Sequence, residues 1–128
     1  MRKFKSNKNV VYSCKYHVFW TPKYRRSVLN SGVDSRLKEL LYQIAKGIQV
    51  EIMEMEIMPE HVHMLIEVEP QFGIHKAIKR FKGVTSRYLR LEFPHLKSKL
   101  PSLWTNSYFV STVVGAPLDI VKQYIQNQ

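Results

Sequence analysis

The spacing of apolar residues along this chain switches repeatedly between two and three-to-four, and that switching limits the possible folds more than any other feature. Over residues 10–20 the period is two: Val10, Tyr12, Cys14, Tyr16, Val18 and Trp20 share one face of an expected strand, with Ser13, Lys15 and His17 on the other. Pro22, which cannot donate to a ladder, ends it. Ser31-Gly32-Val33-Asp34 then reads as a capping-box start, and Val33, Leu37, Leu40, Leu41, Ile44 and Ile48 make one stripe of an amphipathic helix. Residues 50–58 and 61–69 read as two strands joined by a turn around Pro59-Glu60. In the second of them Val62, Met64, Ile66 and Val68 share a face, opposite His61, His63, Leu65, Glu67 and Glu69. A second helix is expected over 73–92, with Ile74, Ala77, Ile78, Phe81, Tyr88 and Leu91 as its core stripe. Pro94 to Pro101 reads as a basic loop, 107–114 as a last strand, and Pro117 as the start of a helix reaching the end of the sequence.

The order β-α-β-β-α-β plus a C-terminal helix predicts an α+β fold of the ferredoxin-like, RNA-recognition-motif-like kind, an antiparallel sheet with two helices on one face. At 128 residues, with no internal repeat or low-complexity stretch, residues 1–128 are expected to form a single domain. Twenty Lys+Arg against ten Asp+Glu give a net charge of +10, which suits a polyanion such as nucleic acid. An anionic membrane surface is the rival partner, but no basic amphipathic anchor is evident. No apolar run reaches the roughly eighteen residues of a membrane span, and Met1 to Lys8 has no apolar segment behind it, as a secretory signal would. Cys14 has no second cysteine to pair with, which fits a reducing compartment, and it reads as a small core residue. The expected location is the cytoplasm, with nucleoid association when DNA is bound.

Four groups of residues could carry chemistry. His61 and His63, two apart on a strand, project from one face, where two imidazoles can ligate one ion; two surface histidines satisfy the same pattern. On the C-terminal helix Leu118, Val121 and Ile125 form the buried stripe, and Tyr124 and Gln128 lie one turn apart at its border. The tyrosine is a candidate nucleophile and the glutamine amide a candidate oxygen ligand, although Tyr124 could equally cap the core. On the helix over 73–92, Lys76, Lys79, Arg80, Arg87 and Arg90 share a face, Lys82 lies nearby, and only Glu92 opposes them. A solvated face normally mixes signs, so this one reads as a phosphate track, with Gly83 allowing close backbone approach; generic solubility is the bland alternative. Lys23, Arg25 and Arg26, interleaved with Tyr24 after Trp20, suit an unpaired strand, or else simple loop packing. Six of the ten acids lie within 51–69, where Glu60 could assist a metal shell.

Pro59-Glu60-His61-Val62-His63-Met64-Leu65 resembles the histidine–bulky apolar–histidine (HUH) motif of single-strand DNA nucleases. The stretches from Tyr16 to Arg26 and from Val121 to Gln128 resemble flanking signatures of one branch, the single-tyrosine transposases of the insertion sequence 200/605 family, TnpA type. The resemblance spans essentially the whole chain. It implies a homodimer whose two sheets join, with composite active sites in which the histidines of one subunit meet the tyrosine helix of the other. It further implies binding of hairpins at element ends, cutting of single-stranded DNA through a 5′-phosphotyrosine, and rejoining of strands for excision and insertion. His61, His63 and Gln128 would be metal ligands and Tyr124 the nucleophile, with Mg²⁺ as the cofactor and Mn²⁺ as a substitute. Two imidazoles by themselves suit Mn, Co, Ni or Zn better than Mg. Members commonly continue past the tyrosine helix, whereas this sequence stops at Gln128.

The chemistry is coherent in its own terms. A free tyrosine, with a pKa near 10, is a poor nucleophile at neutral pH, and a cation at the phosphate favours the phenolate. A covalent phosphotyrosine conserves the phosphoester, so religation needs no ATP and no Gly-rich phosphate loop. The readings from other classes are a non-catalytic nucleic-acid-binding module of the same fold, and a zinc hydrolase on His61 and His63, which lacks a third ligand at convincing spacing.

Overall fold

A computed structural model describes residues 5–6 and 11–113. Its central element is a four-stranded antiparallel sheet formed by β3 (Lys15–Trp20), β4 (Glu51–Met58), β5 (His61–Glu67) and β6 (Phe109–Thr112), in the order β4-β5-β3-β6. Two helices, α1 (Val33–Gly47) and α2 (Ile74–Glu92), form the connections between β3 and β4 and between β5 and β6. This is the expected ferredoxin-like arrangement, with sequence-distant strands at its centre.

Alternation decides which face the helices cover. Val18 and Trp20 on β3 pair with Met64 and Val62 on β5, and all four are buried along with Ile66. They share one core with Val33, Leu37, Leu40 and Leu41 of α1 and with Ala77, Ile78, Phe81 and Leu89 of α2. The opposite face carries His17, Phe19, His61, His63 and Leu65, all only half-buried. Among the described residues no helix packs onto it.

Several local expectations are corrected. The strand expected over 10–20 breaks at Ser13-Cys14: β2 (Val11–Tyr12) pairs with β1 (Lys5–Ser6) in a separate ribbon, and the main-sheet strand starts at Lys15. Cys14 is half-buried rather than a core residue. The capping box does not form, because Ser31 and Gly32 both take left-handed backbone conformations and no side chain caps α1. On α1, Ala45 is buried in place of Ile44 and Ile48, which pack at the core's edge. On α2, Tyr88 and Leu91 are 44% and 66% exposed, and Thr85 and Leu89 take the buried positions. A threonine can sit there because its Oγ1 donates to Phe81 O at 2.6 Å and accepts from the buried Trp104 Nε1 at 3.0 Å. The expected loop after Pro94 is partly helical: α3 (Pro94–Lys99) places proline at its start, where no N–H is needed, and buries Leu96. The last strand, expected over 107–114, is confined to Phe109–Thr112.

Candidate functional site

The turn at Pro59-Glu60 returns the chain so that β5 begins at His61, paired with β4 from His61 onward and with β3 from Val62 onward. His61 faces Met58 across β4, and His63 lies between Phe19 on β3 and Glu56 on β4. Both imidazoles therefore stand on the sheet face that no described helix covers, as the period of two predicts. His61 packs against the ring of Phe19, with centroids 4.9 Å apart, and its Nδ1 lies 2.9 Å from Glu60 Oε1. Its Nε2 is 3.8 Å from Glu56 Oε1. His63 Nε2 lies 3.2 Å from Nδ1 of His17, and the two rings stack nearly parallel.

His17 is the residue that sequence reasoning missed. It stands one alternation from Phe19 on β3, and only the β3–β5 register, which pairs His17 with Leu65 and Phe19 with His63, makes it the diagonal neighbour of His63. Among the described residues no three His, Cys, Asp or Glu side chains are grouped to hold a metal ion. A cation on His61 and His63 would need a further donor, the place that the resemblance gives to Gln128. Gln128 and Tyr124, with the helix expected from Pro117, lie outside the described residues.

The cations expected to meet DNA divide into three sets. Lys76, Lys79, Arg80 and Arg87 are exposed along the outer side of α2. With Ile48, Phe72, Gly83 and Val84 they line a groove of about 660 Å³. Lys76 Nζ sits 4.8 Å from the centre of the Phe72 ring, and a Cβ added at Gly83 would meet nothing within 4 Å. Glycine is therefore not required there by packing among the described residues. Glu92, the one acid expected to oppose this row, is taken up by Arg36, whose Nε and Nη2 donate to its Oε1 and Oε2 at 2.7 and 3.0 Å and hold its carboxyl below the usual range.

Lys82 and Arg90 form the second set, tied to backbone. Lys82 Nζ donates to Thr105 O at 2.6 Å and Ser107 O at 3.1 Å, and burial pushes its ammonium pKa down. Arg90 reaches Pro101 O and Leu100 O at 3.3 and 3.4 Å. Both hold the segment leading to β6. Lys23, Arg25 and Arg26 form the third set, in a tight turn where Tyr24 and Arg25 adopt positive φ of 60° and 52°. Hydrogen bonds from Lys23 N to Leu103 O and from Arg25 N to Pro22 O fix this turn. It leaves Tyr24 65% exposed with Lys23 Nζ over its ring. Two consecutive non-glycine residues in this region are strained, which is more common at working sites than elsewhere. Because Trp20 pairs with Val62, the turn stands at the end of the sheet where β5 starts with His61.

Comparison with known proteins points the same way. A family model described as "Transposase IS200 like" matches residues 10–128. The chain is 37% identical over 126 residues to the ISDra2 transposase TnpA of Deinococcus radiodurans, covering 97% of this chain and 90% of that one. It is 31% identical over 126 residues to the transposase for insertion sequence element IS200 of Salmonella typhimurium, covering 97% and 82%. A crystal structure of a transposase from Deinococcus radiodurans R1 superposes with a TM-score of 0.78 at 38% identity, covering 97% of each chain. A REP-associated tyrosine transposase bound to a REP hairpin shares the fold, with a TM-score of 0.57 at 15% identity, covering 96% of this chain and 67% of that one.

Proposed function

We propose that this chain, which belongs to the IS200-like transposase family, cuts and rejoins single-stranded DNA through Tyr124. The observation that supports this most directly is the pair His61 and His63, side by side on the sheet face that no described helix covers and already held by neighbouring groups. The residues fit a cation: one nitrogen of each imidazole is within hydrogen-bond distance of a neighbouring side chain, which leaves the other as a candidate ligand, with Glu56 Oε1 3.8 Å from that of His61. His61, His63 and Gln128 would hold Mg²⁺, or Mn²⁺ in its place. Such a cation, when bound, offsets charge on the scissile phosphate.

Tyr124 Oη attacks the phosphorus, the bond to the 3′ oxygen breaks, and the departing strand keeps a 3′-hydroxyl after taking up a proton. The phosphate stays on the tyrosine, linked to the 5′ side of the cut. A second 3′-hydroxyl then attacks that phosphate and releases the tyrosine, so excision and insertion follow without an external energy source. Residues 1–128 act as one such domain, in a homodimer where each tyrosine helix serves the histidines of the other subunit. The DNA is a hairpin with a single-stranded flank, as the hairpin-bound structural neighbour suggests. Its phosphates lie along Lys76, Lys79, Arg80 and Arg87, and its unpaired flank passes the turn carrying Lys23, Arg25 and Arg26.

Incubation with Mg²⁺ and a hairpin DNA bearing a single-stranded flank should give a protein–DNA adduct that survives SDS. Tyr124→Phe should abolish the adduct while leaving binding nearly unchanged. A Phe variant that cuts at the parent rate would show that another group attacks. Binding with no adduct in the parent protein would leave a non-catalytic nucleic-acid module.

A further inference from the structure

Each of the two histidines touches a second residue through one ring nitrogen, and the contacts differ in kind. Glu60 Oε1 lies 2.9 Å from His61 Nδ1. An ionised carboxylate only accepts, so His61 carries a proton on Nδ1, and in the neutral ring the Nε2 lone pair stays free. His17 Nδ1 lies 3.2 Å from His63 Nε2, and here either imidazole can donate. If His17 donates, neutral His63 keeps its proton on Nδ1, and its one lone pair is spent on His17. If His63 donates from Nε2, its Nδ1 lone pair is free for another group. Only the second form makes His63 a ligand without breaking the contact.

The surroundings hold both rings in place. His17 and His63 stack with their planes 10° apart, and Phe19 packs against His61 from the strand that carries His17. Histidines that bind metals almost always donate their other ring N–H to a second group, which sets the tautomer and raises the ring's basicity. We propose that His17 is a positioning residue for a divalent cation on His61 and His63: it accepts from His63 Nε2–H as Glu60 accepts from His61 Nδ1–H. This rests on the reading of His61 and His63 as ligands. The motif resemblance gives His17 no role.

The test is a Mn²⁺ titration of the full chain, followed calorimetrically, together with long-range ¹⁵N NMR of the histidine rings without metal. His17→Phe keeps a flat ring but removes the acceptor, and Mn²⁺ affinity should fall about 10- to 100-fold, the usual effect of losing such a partner. His17→Asn places an amide oxygen near the lost Nδ1 and should recover most of that affinity. In the parent, the His63 ring should carry its proton on Nε2, a preference that His17→Phe removes. His17→Phe with parent affinity or tighter binding would overturn the proposal, as would a His63 ring protonated on Nδ1 in the parent. His61→Ala separates the two ideas. Affinity lost in His61→Ala but kept in His17→Phe rejects the role of His17 alone, and affinity kept in both rejects the cation site together with it.

Discussion

The charged face of α2 makes a quantitative prediction because the structure separates its free cations from its tied ones. Lys82 and Arg90 hold backbone carbonyls of the segment leading to β6, so Lys76, Lys79, Arg80 and Arg87, which have no hydrogen-bond or ion-pair partner among the described residues, are left for phosphates. Four contacts, each releasing about 0.7–0.9 counterions, give a log–log salt slope of about −2.8 to −3.6; a rise from about 50 to 200 mM salt then weakens binding about 50- to 150-fold. Six contacts would give a slope of about −4.2 to −5.4 and a loss of about 300- to 1,800-fold. The assay is fluorescence anisotropy of a labelled hairpin without a single-stranded flank, which leaves the turn of Lys23–Arg26 unengaged, across that range at fixed pH. Lys79→Ala should reduce the slope by about 0.7–0.9 and weaken binding to all hairpins alike, because phosphate contacts position DNA without reading it. Lys82→Met should leave the slope unchanged but lower the melting temperature, since the charged donor to Thr105 O and Ser107 O is lost. A parent slope steeper than −4, with Lys82→Met reducing it as much as Lys79→Ala does, would refute the division. A slope near zero would move the DNA off this face altogether.

Three further predictions follow from particular contacts. Gly83→Ala should stabilise α2 by up to about 1 kcal/mol, because its Cβ meets nothing within 4 Å among the described residues, yet weaken hairpin binding by projecting into the groove; melting and anisotropy should move in opposite directions. Glu67 is 4% exposed, its Oε2 has no hydrogen-bond partner among the described residues, and burial raises its pKa. The folded state thus holds this proton more tightly than the unfolded one, so the group's contribution to stability is full below the usual carboxylate pKa and is lost as pH rises through the raised value. Glu67→Gln should flatten that decline and raise the melting temperature at neutral pH. Thr85→Val should cost about 1–3 kcal/mol in denaturant unfolding, because it leaves the buried Trp104 Nε1 without its acceptor.

How far the sequence could be read depended on whether a feature was local. The alternation in β5 places Val62, Met64 and Ile66 inside and His61 and His63 outside, because a strand's period is exactly two and one buried face fixes its phase. The stripe of α2 was legible down to Phe81 and then failed. Thr85 is buried through its bonds to Phe81 O and Trp104, which an apolar template does not count, while Tyr88 and Leu91 turn outward. Ser31 has the right residue type for a cap but the wrong backbone, since capping needs extended φ and ψ and the chain is left-handed there. His17 was hidden for a different reason. Nothing within β3 marks it, and its contact with His63 follows from the pairing of strands 46 positions apart. Lys82 and Arg90 looked like their neighbours because the carbonyls they hold belong to a segment whose path was not predicted.

The layered fold also explains how affinity and chemistry can be separate. The groove of Lys76, Lys79, Arg80 and Arg87 lies on the outer side of α2, whose inner side, through Ala77, Ile78 and Phe81, packs in the core under the sheet. His61 and His63 stand on the other face of that sheet. On the proposed function, a duplex seated in the groove of one chain therefore cannot rest on the same chain's histidines, and an unpaired flank must carry the scissile phosphate around the layers. Of the cations described, those on the turn of Lys23–Arg26 stand at the end of the sheet where His61 begins β5. That turn is backbone-bonded, strained at two residues, and presents an exposed aromatic ring beside its charges. These are the properties needed to guide a flexible single strand, whose bases can stack while its phosphates are neutralised. On the proposed function, a groove for structured DNA and a distant sheet face for its unpaired flank are thus two demands that one small antiparallel sheet can meet without sharing a residue.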